Sequence, residues 1–324
     1  MKIKFIILFL STLLIENAHA QHTDVINSNR PGESMSAFAV GKSVIQLESG
    51  MSLLNERHKY LDYKANGYSL DFNVRYGFLK EQIEAILEVN YQNDNYTSNN
   101  ITTKRTGVRS STLGLKYLVY DPFKYYEEEV NVYSWKANHK FNWRQFIPAV
   151  GVYGGMNLNF SSNPFISNEE SLKNVSPKVM LITQNIFGVG YVFVTNIYVD
   201  KIGTNFQSLE YIITLTKGLN DKWSVFLENK GIKSDLYADA IFRGGAAYLI
   251  NSNMQIDASF SKNYKGTPSL TYGGIGISWR SDTKYKDVMI RAKKKDEKKK
   301  DKSKKGKEKE KVKKRLDEVE VTKP

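Results

Sequence analysis

Cysteine is absent from all 324 residues. That absence excludes disulfides, thiolate metal sites and thiol catalysis, and also the lipid attachment that needs a cysteine just after an export signal. Histidine is scarce, at four residues, and beyond residue 20 only His22, His58 and His139 remain. His22 falls in a polar lead-in, His58 in an expected outer loop and His139 in an expected inner connection. None stands beside a serine on a strand, so the nucleophile–base pairing of a hydrolase is missing. There is no glycine-rich phosphate loop and no His/Cys metal spacing. The carboxylates are accompanied by opposite charges, so no acid/base dyad stands apart. These absences argue against an enzyme and give no reason to expect a cofactor or metal. Beyond residue 20 there is also no apolar run of about 18 residues, which excludes a membrane-spanning helix.

What is present begins at the first residue. Lys2 and Lys4 precede an apolar run from Phe5 to Ile15, and Ala18-His19-Ala20 places small residues at the two positions a signal peptidase reads. Basic, apolar, small-x-small is the layout of a secretory signal, with cleavage expected after Ala20. The formal charge of +13 is concentrated at the other end, where residues 281–324 hold 19 Lys and Arg against 10 Asp and Glu. The body between is nearly neutral, so the basic character is not a nucleic-acid patch on a folded surface. Within the tail, 281–324, the stretch from Arg291 to Arg315 has almost nothing apolar to bury, and the tail reads as a disordered extension. Contact with an anionic envelope partner stands there beside the plainer reading of a solvated extension.

Residues 21–42 read as an extended lead-in with Gly and Pro, carrying Asp24, Arg30 and Pro31. From Ser43 to Arg280 the pattern has period two. Leu70, Phe72, Val74 and Tyr76 alternate with Asp71, Asn73, Arg75 and Gly77; Leu113, Leu115, Tyr117 and Val119 form one face of a later run. About twelve such runs, mostly near ten residues long, predict an all-β chain: a transmembrane antiparallel up-and-down β-barrel over 43–280. An even strand number puts both ends in the periplasm. Long polar loops at 55–66, 93–106 and 161–176 then fall outside, and short turns at 78–82, 218–221 and 249–253 fall inside. The connection 121–145 is a long inner segment that this rule does not explain. The split of 177–199 into two strands is the weakest. Gly154-Gly155, Gly244-Gly245 and Gly273-Gly274 read as kinks or bulges at barrel corners.

Alternation alone does not say which face is outside. A soluble secreted barrel would turn the apolar face inward, and a membrane barrel inverts it. Tyr76, Tyr91, Trp223, Tyr248 and Trp279 sit near predicted strand ends, as an interfacial aromatic girdle facing outer-membrane lipid requires. On that reading the lumen-facing set starts with Gln46, Glu48, Asp71, Arg75, Glu84 and Glu88. It continues with Lys116, Glu210, Glu228, Arg243 and Asp257. A Lys or Arg on the lipid face at mid-bilayer would cost about 2–4 kcal/mol, which is why these charges share the inner face. They would either fill the interior as a salt-bridge network or line a path for a solute. Arg30 and Asp24 are the lead-in charges that could join them if that segment folds inward. The last strand, Gly274 to Arg280, alternates small or polar with apolar and ends in an aromatic. It is similar to the signal that the barrel assembly machinery recognises.

A family resemblance rests on ordered motifs. Asp24, Arg30-Pro31-Gly32, Ser34 and Ser36, Val40-Gly41 and Gln46-Leu-Glu48-Ser-Gly50 open it. Arg75-Tyr76-Gly77, Glu88-Val89, Gly114-Leu115-Lys116, Trp223 to Glu228 and Gln255-Ile-Asp257 follow. Together they resemble a bacterial family named for the meta-pathway of phenol degradation, whose members are also called simply transporters. The resemblance implies a channel-like outer-membrane barrel and little about the solute, and the Lys-rich tail departs from the family's usual ending. The expectation is a channel for small solutes, hydrophobic or aromatic ones among them. A closed structural barrel in an envelope complex and a soluble secreted β protein are the alternatives.

Overall fold

The computed structural model describes residues 25–122, 143–159, 163–165, 174–187 and 190–281. The signal segment, Asp24, His139, most of the 121–145 connection and nearly all of the tail lie outside them.

Twelve antiparallel strands close into one barrel. They are β1 (Ile45–His58), β2 (Tyr63–Gly77), β3 (Ile83–Ser98), β4 (Ile101–Tyr120), β5 (Ala149–Leu158) and β6 (Val175–Phe187), then β7 (Tyr191–Asp200), β8 (Ser208–Gly218), β9 (Trp223–Ser234), β10 (Ala238–Asn251), β11 (Met254–Asn263) and β12 (Ser269–Ser281). Each pairs with its neighbours in sequence, and β1 pairs with β12 from Ile45↔Ser281 to Arg57↔Ser269, so the sheet has no free edge. Full closure satisfies every ladder without water, the condition for crossing hydrocarbon. The 177–199 region does split in two, as β6 and β7.

The face question has a direct answer. Leu47, Phe72 and Leu115 are 43 %, 48 % and 54 % exposed, while Gln46, Arg75 and Lys116, an odd number of residues away along the same strands, are fully buried. The apolar face is outside and the ionic face inside, the reverse of a soluble barrel. At one rim lie exposed Tyr76, Trp223 and Trp279, with the Trp223 and Tyr248 rings 4.9 Å apart. Tyr91 is level with Leu70, further along the wall.

The structure corrects three expectations. The outer segments 55–66 and 93–106 are not long loops. β3 and β4 run on to Ser98 and Ile101 and meet in a two-residue turn, Asn99-Asn100, with φ of 50° and 63°. Two left-handed residues make the turn whose twist matches a hairpin, and asparagine tolerates that conformation. Strand lengths therefore reach 20 residues in β4. His58 is the last residue of β1, not a loop residue; its Nδ1 accepts the Leu61 amide at 3.0 Å. The Gly-Gly pairs are not bulges. The register shifts fall at Asn90/Tyr91, Leu118/Tyr120 and Leu249/Asn251. Gly114 and Gly155 instead sit under the Tyr153 ring, where a Cβ would come within 2.4 and 2.5 Å of it. An aromatic laid over strand glycines restores the packing they lack.

Candidate functional site: a loop seated in the lumen

Residues 25–44 do not lead into the barrel from outside; they fold into it. The Ile26 amide bonds to Ser252 O at the β10–β11 turn (2.8 Å), and the segment returns where Ser43 N meets Gly77 O (2.8 Å). Both feet stand at the rim where β1 begins, and the apex lies among side chains of the inner wall. An irregular loop at membrane depth exposes backbone groups that must find partners within the protein. The lumen charges supply them.

At one foot the Arg75 guanidinium donates to Asn27 O (2.8 Å) and to both oxygens of Glu84 (3.0 and 3.1 Å), and lies 3.4 Å from Glu48. Glu84 also accepts the Val40 amide (2.8 Å) and pairs with Lys116 at 2.6 Å. Lys116 spends its other protons on the carbonyls of Ser36 (2.7 Å) and Phe38 (2.9 Å). Arg75, Glu84 and Lys116 are fully buried. A charge held there unpaired would be costly, so two cations sharing one carboxylate, with carbonyls and Glu48 completing the set, make the group self-consistent. Gln46 donates to Asn27 O (3.1 Å).

At the apex the Arg30 guanidinium binds Asp257 at 3.1 and 3.3 Å. It lies on two glycines: a Cβ on Gly50 or on Gly276 would come 2.3 Å from it. Gly50 pairs with Gly276, and Gly276 with Asp257, so one row across β1, β12 and β11 forms floor and anchor together. The Arg30–Pro31 peptide is cis. Next, the Glu228 carboxylate accepts the amides of Glu33 and Ser34 (3.0 and 3.3 Å) and pairs with Arg243 at 2.9 Å. Glu33 binds Arg243 and Lys230, and Lys230 also reaches Glu210 at 3.4 Å. Gln255 donates to Arg30 O (3.2 Å).

The other side of the lumen is apolar. Met35 and Ala37 pack against Ile86, Leu118, Ala149, Ile182 and Ile212. Asn196 brackets Met35, accepting its amide at 2.6 Å and donating to its carbonyl at 3.0 Å. Burying a methionine side chain contributes about 1.5–3 kcal/mol. The loop is thus held by ion pairs on one flank and an apolar seat on the other.

Toward the opposite mouth the strands carry a second polar set. Arg105 clamps Asp94 with two bonds of 2.8 Å while its guanidinium lies 4.4 Å from the Tyr96 ring and 5.2 Å from Phe165. Tyr63 donates to Glu56 and Tyr237 to Asp239.

The residues singled out from sequence divide as follows. Gln46, Glu48, Arg75, Glu84, Lys116, Glu210, Glu228, Arg243 and Asp257 meet the loop or its neighbours. Asp71 and Glu88 face the lumen apart from it, bonded to Asn90 and, at 3.9 Å, to Lys178. Glu33, Gln184 and Lys230 are loop contacts that sequence reasoning left off its site. Parity placed Lys230 beside Glu228, so a signal existed; for Glu33, inside an irregular segment, there was none.

Fold and lumen together define a class: a channel-like outer-membrane-type barrel whose interior holds its own N-terminal segment. The chain belongs to the family described as "Putative MetA-pathway of phenol degradation", whose profile matches residues 28–281. Three solved structures are similar to the chain, and the first of them, at a TM-score of 0.50, shares its fold. An outer membrane channel from Pseudomonas putida F1 is 8% identical, with 79% of this chain and 100% of that one covered and a TM-score of 0.50. The translocator domain of the autotransporter NalP from Neisseria meningitidis is 10% identical, covering 74% and 89%, at 0.42. The CymD monoaromatic hydrocarbon channel is 10% identical, covering 74% and 88%, at 0.37. No curated protein sequence matches the chain.

Proposed function

We propose that this protein is an outer-membrane channel for small solutes whose conductance is set by the loop 25–44. The observation that carries the reading is the loop's mode of attachment. It is bound chiefly by side chains reaching its backbone and by a few ion pairs, so it is separable from the barrel without breaking a strand ladder. The barrel closes on itself through β1–β12 and does not need the loop to complete its sheet. The family description, which refers to phenol degradation, supports hydrophobic or aromatic solutes among those passed. The aromatic and hydroxyl groups at the far mouth suit such molecules. Export by a signal cleaved after Ala20, insertion by the barrel assembly machinery, and a periplasmic Lys-rich tail facing an anionic envelope partner belong to the same proposal.

The second reading, a closed structural barrel, is favoured by how completely the loop's polar groups are satisfied. Planar-bilayer recording separates the two. Wild-type protein should give rare or brief openings, and the double variant Arg30→Ala, Glu33→Gln should give longer and more frequent ones. Silence from both, with folded barrels recovered, sinks the channel and leaves the scaffold.

A further inference from the structure

The outer wall carries a flaw in its packing on β8–β11. In a register row across five strands, Leu215 pairs with Leu227, Leu227 with Gly244, Gly244 with Phe260 and Phe260 with Gly273. Bulky side chains thus flank a glycine that has none. Leu227 is 69 % exposed, and a Cβ on Gly244 would already approach its Cδ2 at 3.3 Å. The result is an apolar groove of about 520 Å³ on the lipid-facing side of β8–β11. That is the scale of small-ligand sites, roughly 300–1,000 Å³.

The next row, toward the far mouth from the loop's feet, ends the groove in polar groups. Asn229 pairs with Phe242, and Phe242 with Lys262. Lys262 continues to Thr271, Asn55 and Asn66, where the outer faces of β12, β1 and β2 turn from apolar to polar. Lys262 therefore stands at the boundary of the apolar belt. It is exposed, and among the described residues no carboxylate lies within ion-pair distance of it.

We propose that this groove seats an acyl chain of a phosphorylated outer-leaflet lipid, with Lys262 holding the headgroup phosphate. A gap facing hydrocarbon is filled by a lipid tail, and a cation at its outer end selects a tail carrying an anionic head. Such a lipid rests on the outer face of the same strands, β9, β10 and β11, that carry Glu228, Arg243 and Asp257, the anchors of the loop. The inference rests on the outer-membrane reading, and its test does not depend on channel activity.

Native mass spectrometry of the purified full chain in detergent, with added lipid A and its dephosphorylated counterpart, provides the test. Wild type should retain one phosphorylated lipid in preference to the dephosphorylated form. Lys262→Gln should cut retention of the phosphorylated lipid about fivefold and leave the dephosphorylated form unchanged. Gly244→Leu, which fills the groove and needs only the exposed Leu227 side chain to give by a few tenths of an ångström, should lose both. Equal retention of the two lipids by wild type, or unchanged retention by Gly244→Leu, overturns the proposal. A mass of two chains lost in Gly244→Leu assigns the groove to a second copy and overturns it as well. Failure of the protein to enter bilayers would instead defeat the membrane reading itself.

Discussion

Gly50 and Gly276 matter because of what lies on them. The Arg30 guanidinium rests flat on both, and any side chain there occupies its place at 2.3 Å. Gly276→Val should therefore evict Arg30 while leaving Arg30 and Asp257 chemically intact. The expected consequence is the same gain in open time as Arg30→Ala, with a folded barrel by heat-modifiable electrophoresis. Wild-type behaviour from Gly276→Val would show that the guanidinium has another seat. Arg30→Ala also leaves Asp257 without its cation. A buried group left unsatisfied costs about 1–3 kcal/mol, so its urea midpoint should fall modestly. Arg30→Lys should rescue poorly, because an ammonium is not flat and offers no two-pronged match to a carboxylate.

The loop behaves as an element without regular structure, and its stability is borrowed from the wall. Glu84 joins three groups at one foot of the loop: Arg75, Lys116 and the Val40 amide. Glu84→Gln keeps the shape and an acceptor for Val40 but leaves two buried cations short of a counter-charge. Breaking a buried pair in this way costs about 3–5 kcal/mol, which urea unfolding in vesicles should read as a large loss. A loss under 1 kcal/mol would mean that water enters the site. The strands were legible from alternation because period two is set by the pleat and one face must meet lipid. Their extent was not, since Asn99-Asn100 and the polar ends of β3 and β4 look the same in a loop as in a hairpin standing clear of the membrane. Nor was the loop's seat, because Leu118, Ile182 and Ile212 are apolar at inner-face positions. Those exceptions to the alternation mark where Met35 and Ala37 dock. Arg30 could be named as a candidate, but its partner Asp257 lies 227 residues away, a distance no local pattern spans.

At the scale of the molecule, two motions would open the lumen: the loop swinging out toward the rim where its feet stand, or side chains shifting while it stays seated. The absence of native cysteine makes them distinguishable. Ser28 and Ser278 face each other across loop and wall with hydroxyl oxygens 2.7 Å apart. A cysteine at each position is within reach of a disulfide, whose Cβ atoms need a separation near 3.8 Å. The pair would form readily in the oxidising compartment that an exported protein reaches. In the Ser28→Cys, Ser278→Cys protein, the bond ties the rising limb of the loop to β12; it gives up the Arg30 amide's bond to the Ser28 hydroxyl (3.0 Å) but leaves the side-chain partners of Arg30 and Glu33 in place. If opening requires the loop to leave, the oxidised form should be silent in planar bilayers, and dithiothreitol should restore openings within the same recording. If the oxidised and reduced forms conduct alike, the loop stays in place, and the solute path must run beside it, between the apolar seat of Met35 and the ionic flank.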